Sequence, residues 1–141
     1  MRKNTDQLFE RLQQTEDIAA FISENKEILD SSKFVPYLKE LLEKYGVKIA
    51  CLIEETDYSK TMLYAIAKGT RNPGKDVVIQ IGIAIGVTLP ELQRMLKLSH
   101  NEELYVKDKR DSIIIYGIQK GKDLYEIDEL LAQYRLKPLL K

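Results

Sequence analysis

Between Lys48 and Glu55 the apolar residues Ile49, Leu52 and Ile53 recur at i, i+3 and i+4, which gathers them on one helical stripe and leaves Lys48, Glu54 and Glu55 for water. This predicts a short helix. The segment Thr56-Asp57-Tyr58 lacks that periodicity, and Ser59 offers a side-chain oxygen to the unpaired amides of a following helix. In that next helix, over 59–68, Leu63, Ile66 and Ala67 share one face, while Lys60, Thr61, Tyr64, Ala65 and Lys68 share the opposite one. Gly69 stands where a left-handed C-cap is wanted, and Pro73 blocks continuation.

The same pattern predicts helices on both sides of this pair. Leu38, Leu41, Leu42 and Tyr45 face inward on a helix from Phe34 to Tyr45, capped by Ser31 or Ser32 and closed by Gly46; Pro36 is acceptable in its first turn. From Lys75 to Ile85 the chain is apolar almost all round. Its β-branched richness also fits a buried strand, but Thr88-Leu89-Pro90-Glu91 is a capping box that opens another helix to Leu98, so helix is expected for both.

Beyond Leu98, Ser99-His100-Asn101-Glu102 forms a second capping-box pattern. A helix is predicted over Asp108 to Lys120, although its run Ile113-Ile114-Ile115-Tyr116 also reads as a strand. After Gly121, Asp123 starts a last helix with Leu124, Ile127, Leu130, Leu131 and Tyr134 inward, and the Pro138-Leu139-Leu140 tail serves either packing or a subunit contact. Ahead of the central unit, Leu8, Phe9 and Leu12 form one stripe, and Ile18, Phe21, Ile22 and Leu29 another, with Thr15-Glu16-Asp17 as the break. Two readings stay open for this segment, a helical brace or a dimerisation arm.

The whole chain therefore reads as all-α, in three parts: an N-terminal helical extension over 1–32, a central helical domain over 33–98, and a C-terminal helical extension over 99–141 holding a second helix pair. A length of 141 residues suffices for a real core, and a composition 44% hydrophobic and 31% charged is that of a globular helical protein.

Charge singles out the central pair. The chain carries 22 cationic and 22 acidic side chains, so no global field attracts a polyanion. From Tyr58 to Lys75, however, Lys60, Lys68, Arg71 and Lys75 occur with no Asp or Glu. Cations clustered near one helix and its following loop suit phosphate contacts.

These residues carry a resemblance. The stretch Gly46 to Pro73, GVKIACLIEETDYSKTMLYAIAKGTRNP, resembles the lambda-repressor-like, XRE-type helix-turn-helix family, aligning without a gap through Ser59, Lys60, Gly69, Arg71, Asn72 and Pro73. With flanking helices the likeness spans roughly Phe34 to Leu96. It implies a five-helix domain whose third helix enters the major groove of double-stranded DNA, with Lys60 and Thr61 at its leading end near base edges; Ser59, the cap, and Tyr64 on the same face complete the DNA-binding candidates of that helix. It further implies that Thr70, Arg71 and Asn72 fall in the loop that grips the backbone, and the charge pattern adds Lys68 and Lys75 as phosphate contacts. A lone domain of this kind binds weakly, so a homodimer is expected, reading half-sites about 34 to 36 Å apart. Where the family often has Gln at the start of helix two, Ala at the helix crossing and Glu two residues before the glycine, this chain has Ile49, Ile53 and Ala67. A position that often reads bases is Ala65. The alternative is a helix-turn-helix-derived protein interaction module, with Tyr58, Met62 and Tyr64 as the contact and the cations as rim.

Little else points to chemistry. His100 and Cys51 are the only residues of their kinds, so no Cys/His metal set or His-based triad can be assembled; Cys51 is expected to pack in the second helix, and His100 to lie at the surface. Gly69-Thr70-Arg71-Asn72-Pro73-Gly74 follows a helix and lacks the Walker Lys-Ser/Thr pair. No enzyme, cofactor, metal or small-molecule ligand is expected. The N-terminus has Asp6, Gln7, Glu10 and Arg11 where a signal peptide would be apolar, and the run Val77 to Leu89 is too short to cross a bilayer, so a cytoplasmic protein without membrane contact is expected. One cysteine agrees with a reducing compartment.

Overall fold

A computed structural model describes residues 5–25 and 33–140, and within them the chain is all-helical. The helices are α1 (Thr5–Gln14), α2 (Ile18–Glu24), α3 (Phe34–Tyr45), α4 (Ile49–Glu55), α5 (Lys60–Lys68), α6 (Lys75–Ile85), α7 (Leu89–Leu98), α8 (Lys109–Gln119) and α9 (Leu124–Gln133). Local chemistry explains most of the boundaries. Ser59, Asp108 and Asp123 each accept a backbone N–H of the helix they precede, and Thr88 and Glu91 complete the expected capping box at α7. Gly46 closes α3 at φ 64°, and Gly69 closes α5 at φ 83°, both left-handed.

One hydrophobic core runs from Phe34 to Leu139 and is centred on α6, whose Val78, Ile79 and Ile81 are at most 1% exposed. That degree of burial is why α6 could be apolar on nearly every face and still be helical. The pair α4–α5 packs together; α5 also lies on α3, and α4 on α6. α7 lies on α3 and α6, and α8 and α9 pack on one another while resting on α7 and α6 respectively. Residues after Leu98 thus share the core of the central helices. Ile114, Ile127 and Leu131 are fully buried in it.

The tail takes the packing role of the two open to it. Leu139 is 4% exposed, the amides of Leu139 and Leu140 donate to the Asp128 carboxylate, and the carbonyl of Leu139 accepts from Gln80 Nε2 inside the core. Gln80 also donates to Tyr58 Oη at 3.0 Å, and its own Oε1 is buried without a partner. Glu91 ties α7 to the end of α3, accepting from Lys44 Nζ at 2.7 Å, from the Tyr45 hydroxyl and from Thr88 N at 2.9 Å.

Several expectations need correction. Ser99 does not start a helix: its hydroxyl donates back to the carbonyls of Met95 and Leu96, so the next helix waits until Lys109. The helix expected over Asp108 to Lys120 does form, as α8, and it runs through Ile113-Ile114-Ile115-Tyr116 with Ile114 fully buried. Tyr134 is 53% exposed, not inward. Cys51 is exposed on the outer side of α4. The cap position of α3 is Lys33, which makes no side-chain cap bond; Ser31, Ser32 and Leu29 lie outside the described residues.

In the N-terminal segment α1 and α2 pack on one another, with the break at residues 15–17 and Asp17 capping α2. Phe21 is buried, yet Phe9, Leu12, Ile18 and Ile22 are 43–62% exposed.

Candidate nucleic-acid interface

α5 is anchored from beneath and open above. Leu63, Ile66 and Ala67 are 3%, 1% and 7% exposed, and truncating Ile66 to Ala would cost about 2–5 kcal/mol. The buried stripe fixes the rotation of the helix about its axis. The opposite face is therefore presented outward: Lys60, Thr61, Tyr64 and Lys68 are exposed, and Ala65 lies half-buried between them. Gly69 closes the helix hard against α3, where a Cβ would meet Val35 Cγ2 at 3.3 Å.

At the leading end the Ser59 hydroxyl accepts from Met62 N at 3.1 Å, so its oxygen organises the first turn. Lys60 extends its ammonium over the Tyr64 ring, 5.9 Å from the centroid, which makes the two one amphipathic unit on the surface. Neither Lys60, Lys68 nor Arg71 forms an ion pair among the described residues.

The loop after α5 divides the remaining site residues into two groups. Arg71 points free to solvent. Thr70 folds back, its N–H and hydroxyl both reaching the Ala65 carbonyl at 3.0 and 3.2 Å. Asn72 donates through Nδ2 to the Ser99 carbonyl at 3.0 Å, and Asn101 returns the bond to the Pro73 carbonyl at 2.9 Å. The two asparagines clip the loop to the end of α7. Lys75 is 3.0 Å from Asp111, with side-chain exposures of 28% and 7%. Asn72 and Lys75, expected as backbone-gripping residues, are thus each bound to a group of the protein itself, though Asn72 stays exposed; the partners that hold them, Ser99 and Asp111, lie far along the chain.

The sequence also hid part of the site. A groove of about 570 Å³ opens beside Arg71 and takes in Lys33, Lys97 and His100, with Phe34 and Leu98 on its floor and no acidic residue in its lining. Lys33 and Lys97 approach Arg71 only because α7 ends beside the start of α3. His100 holds a left-handed backbone, φ 63°, which turns the chain out of α7 at that point. No local signal in the sequence connects Lys97 or His100 with Arg71.

Compared with protein-family models, curated proteins and solved structures, the chain has no match.

Proposed function

We propose that residues 33–98 form a helix-turn-helix domain of the lambda-repressor type and that the protein is a sequence-specific DNA-binding transcriptional regulator, acting as a homodimer in the cytoplasm. The observation that carries this reading is the outward face of α5. Lys60, Thr61, Tyr64 and Lys68 stand exposed on a helix locked by a buried stripe, with Arg71 free beside it, in a chain whose net charge is zero. Exposed cations without carboxylate partners, grouped on one helix and the loop after it, suit contacts to a phosphate backbone.

In this reading α5 lies in the major groove, with Lys60 and Thr61 at base edges and Tyr64 supplying apolar contact beside the Lys60 stem. Lys68 and Arg71 hold phosphates, and the basic groove at Lys97 continues that contact past the loop. Ser59 and Thr70 shape the two ends of α5, and Asn72 and Lys75 brace the loop from behind. Specificity rests on few base-reading side chains, because Ala65 offers no hydrogen bond.

The competing reading, a protein-docking module, has less to stand on. Of its three contact residues, Tyr58 and Met62 pack against the core and the Tyr58 hydroxyl is bound to Gln80, which leaves Tyr64 alone.

The test is selection of random double-stranded DNA on the full chain, followed by anisotropy of the enriched sequence against salt. The expected result is a palindromic consensus whose affinity falls steeply with salt, by about 0.9 in log–log slope for each phosphate neutralised. No enrichment, with weak binding that vanishes near about 150 mM salt, would overturn it.

A further inference from the structure

Among the described residues, two helix faces carry clusters of uncovered apolar side chains, and they differ in charge. The first is the N-terminal pair, with Phe9, Leu12, Ile18 and Ile22 exposed. Around them residues 5–25 carry Asp6, Glu10, Glu16, Asp17 and Glu24 against a single cation, Arg11, which is already bound to Glu24 at 2.7 Å. Two copies brought together on that face would set like charges against one another.

The second is the groove between α8 and α9, about 460 Å³ in volume, lined by Lys109, Ser112, Ile113, Tyr116, Leu130 and Tyr134. At helical spacing 109, 112, 113 and 116 fall on one side of α8, which Lys120 at the C-cap extends, flanking the Gly117 contact with α9. Across the groove Leu130 and Tyr134 form the α9 side; Glu126, one turn before Leu130, lies outside the lining, with one carboxylate oxygen accepting from Asp123 N in the capping box and the other open to a cation. One rim is therefore basic at both ends, through Lys109 and Lys120, and the other is acidic near the α8–α9 turn. Among the described residues Lys109 and Lys120 have no carboxylate partner; they lie over the rings of Tyr134 and Tyr116, at 5.2 and 5.9 Å.

We propose that this face is the surface on which two copies of the chain pair. A two-fold axis running along the helices lays α8 of one copy over α9 of the other, with both turns at the same end. Lys120 then meets Glu126 of the partner subunit, twice by symmetry, while Tyr116 and Tyr134 of each copy fill the opposing groove. The arrangement sets opposite charges against one another at the turn end of the groove, which the N-terminal face does not. It also leaves α5 uncovered, since α5 packs on α3 and α4 and makes up no part of this groove. The pairing rests on the dimeric reading proposed above but not on DNA binding.

The experiment is sedimentation equilibrium of the full chain without DNA, for the wild type, Tyr116→Asp, Tyr134→Asp, Tyr125→Asp and Phe9→Asp, each checked for an unchanged melting curve by circular dichroism. Tyr125 is 68% exposed on α9 outside the groove, and Phe9 belongs to the rival face. A dimeric wild type whose dissociation constant rises about tenfold or more in Tyr116→Asp and Tyr134→Asp, and stays put in the other two, is expected. A dimer weakened by Phe9→Asp or Tyr125→Asp as much as by the groove variants, or by neither groove variant, would overturn the face while leaving the dimer. A monomeric wild type would overturn both.

Discussion

Lys75 and Asp111 meet at 3.0 Å across the seam between α6 and α8, and their chain neighbours repeat the contact with the signs exchanged. Asp76 accepts two bonds from the Arg110 guanidinium, at 2.9 and 3.0 Å. Consecutive residues on α6 thus read cation then anion, and consecutive residues on α8 do the same. Asp111 is 5% exposed and also accepts from Tyr105 N, so it organises the start of α8 as well as holding Lys75.

Lys75→Met should therefore act on stability. It leaves a buried carboxylate without its cation, at a cost of about 1–3 kcal/mol, read as a lower melting temperature. Affinity for a selected DNA site, measured well below that temperature, should change less than it does in Arg71→Ala. An unchanged melting temperature together with an affinity loss matching Arg71→Ala would return Lys75 to the phosphate contacts.

The contrast with Lys75 shows which parts of the molecule were legible in the sequence. The boundaries of α3, α5, α6 and α7 follow from short-range rules, a capping oxygen, a left-handed glycine and a stripe every three or four residues, and all of those are written locally. The outward face of α5 was legible for the same reason. What could not be read were contacts between distant segments: Lys75 with Asp111, Asn72 with Ser99, and the approach of Lys97 to Arg71. A lone Lys in a basic stretch looks the same whether or not a buried carboxylate waits on another helix. Ser99 misled for a related reason, since a serine hydroxyl serves the end of one helix as readily as the start of the next.

Arg71 and Asn72 are neighbours with opposite predicted phenotypes. Arg71→Ala removes an exposed, unpaired cation, so it should lower the log–log salt slope of DNA binding by about one per domain and leave the melting temperature nearly unchanged. Asn72→Ala loses the bond to Ser99 and should lower stability by about 1 kcal/mol with the slope intact. Anisotropy titrations at several salt concentrations, paired with thermal melts, separate the two; a matching slope loss in both variants would show that the loop as a whole contacts phosphates.

Glu91 supplies a pH prediction. Its burial alone would raise the carboxyl pKa, but hydrogen bonds from Lys44, Tyr45 and Thr88 outweigh that and hold it at about 2, against an ordinary value of 4.5. A depressed carboxyl contributes stability that is fully present above its unfolded value and is lost as pH falls toward the folded one. The wild type should therefore lose melting temperature more steeply than Glu91→Gln between about pH 5 and pH 2.5, because Gln keeps the capping-box acceptor without the charge. Parallel melting curves across that range would show that the charge of Glu91 adds nothing to the tie between α3 and α7.

Gly117 tests how closely α8 and α9 are packed. In an exposed helix Gly→Ala stabilises by about 1 kcal/mol through helix propensity. Here a Cβ at position 117 would collide with Ile127 Cγ1 and lie 2.8 Å from its Cδ1. Ile127 is 0% exposed, so its branched stem has no space into which to retreat. Gly82 faces a milder version of the same problem, since its nearest neighbour is the terminal methyl Leu92 Cδ1 at 2.7 Å, which a rotamer change can move. Overpacking costs about 1–3 kcal/mol where the surroundings cannot yield, so Gly117→Ala should be net destabilising and more so than Gly82→Ala, as read from urea midpoints at constant m-value. A Gly117→Ala variant at least as stable as the wild type would mean that α9 can shift outward on α8, in which case the groove that the two helices form would change shape as well.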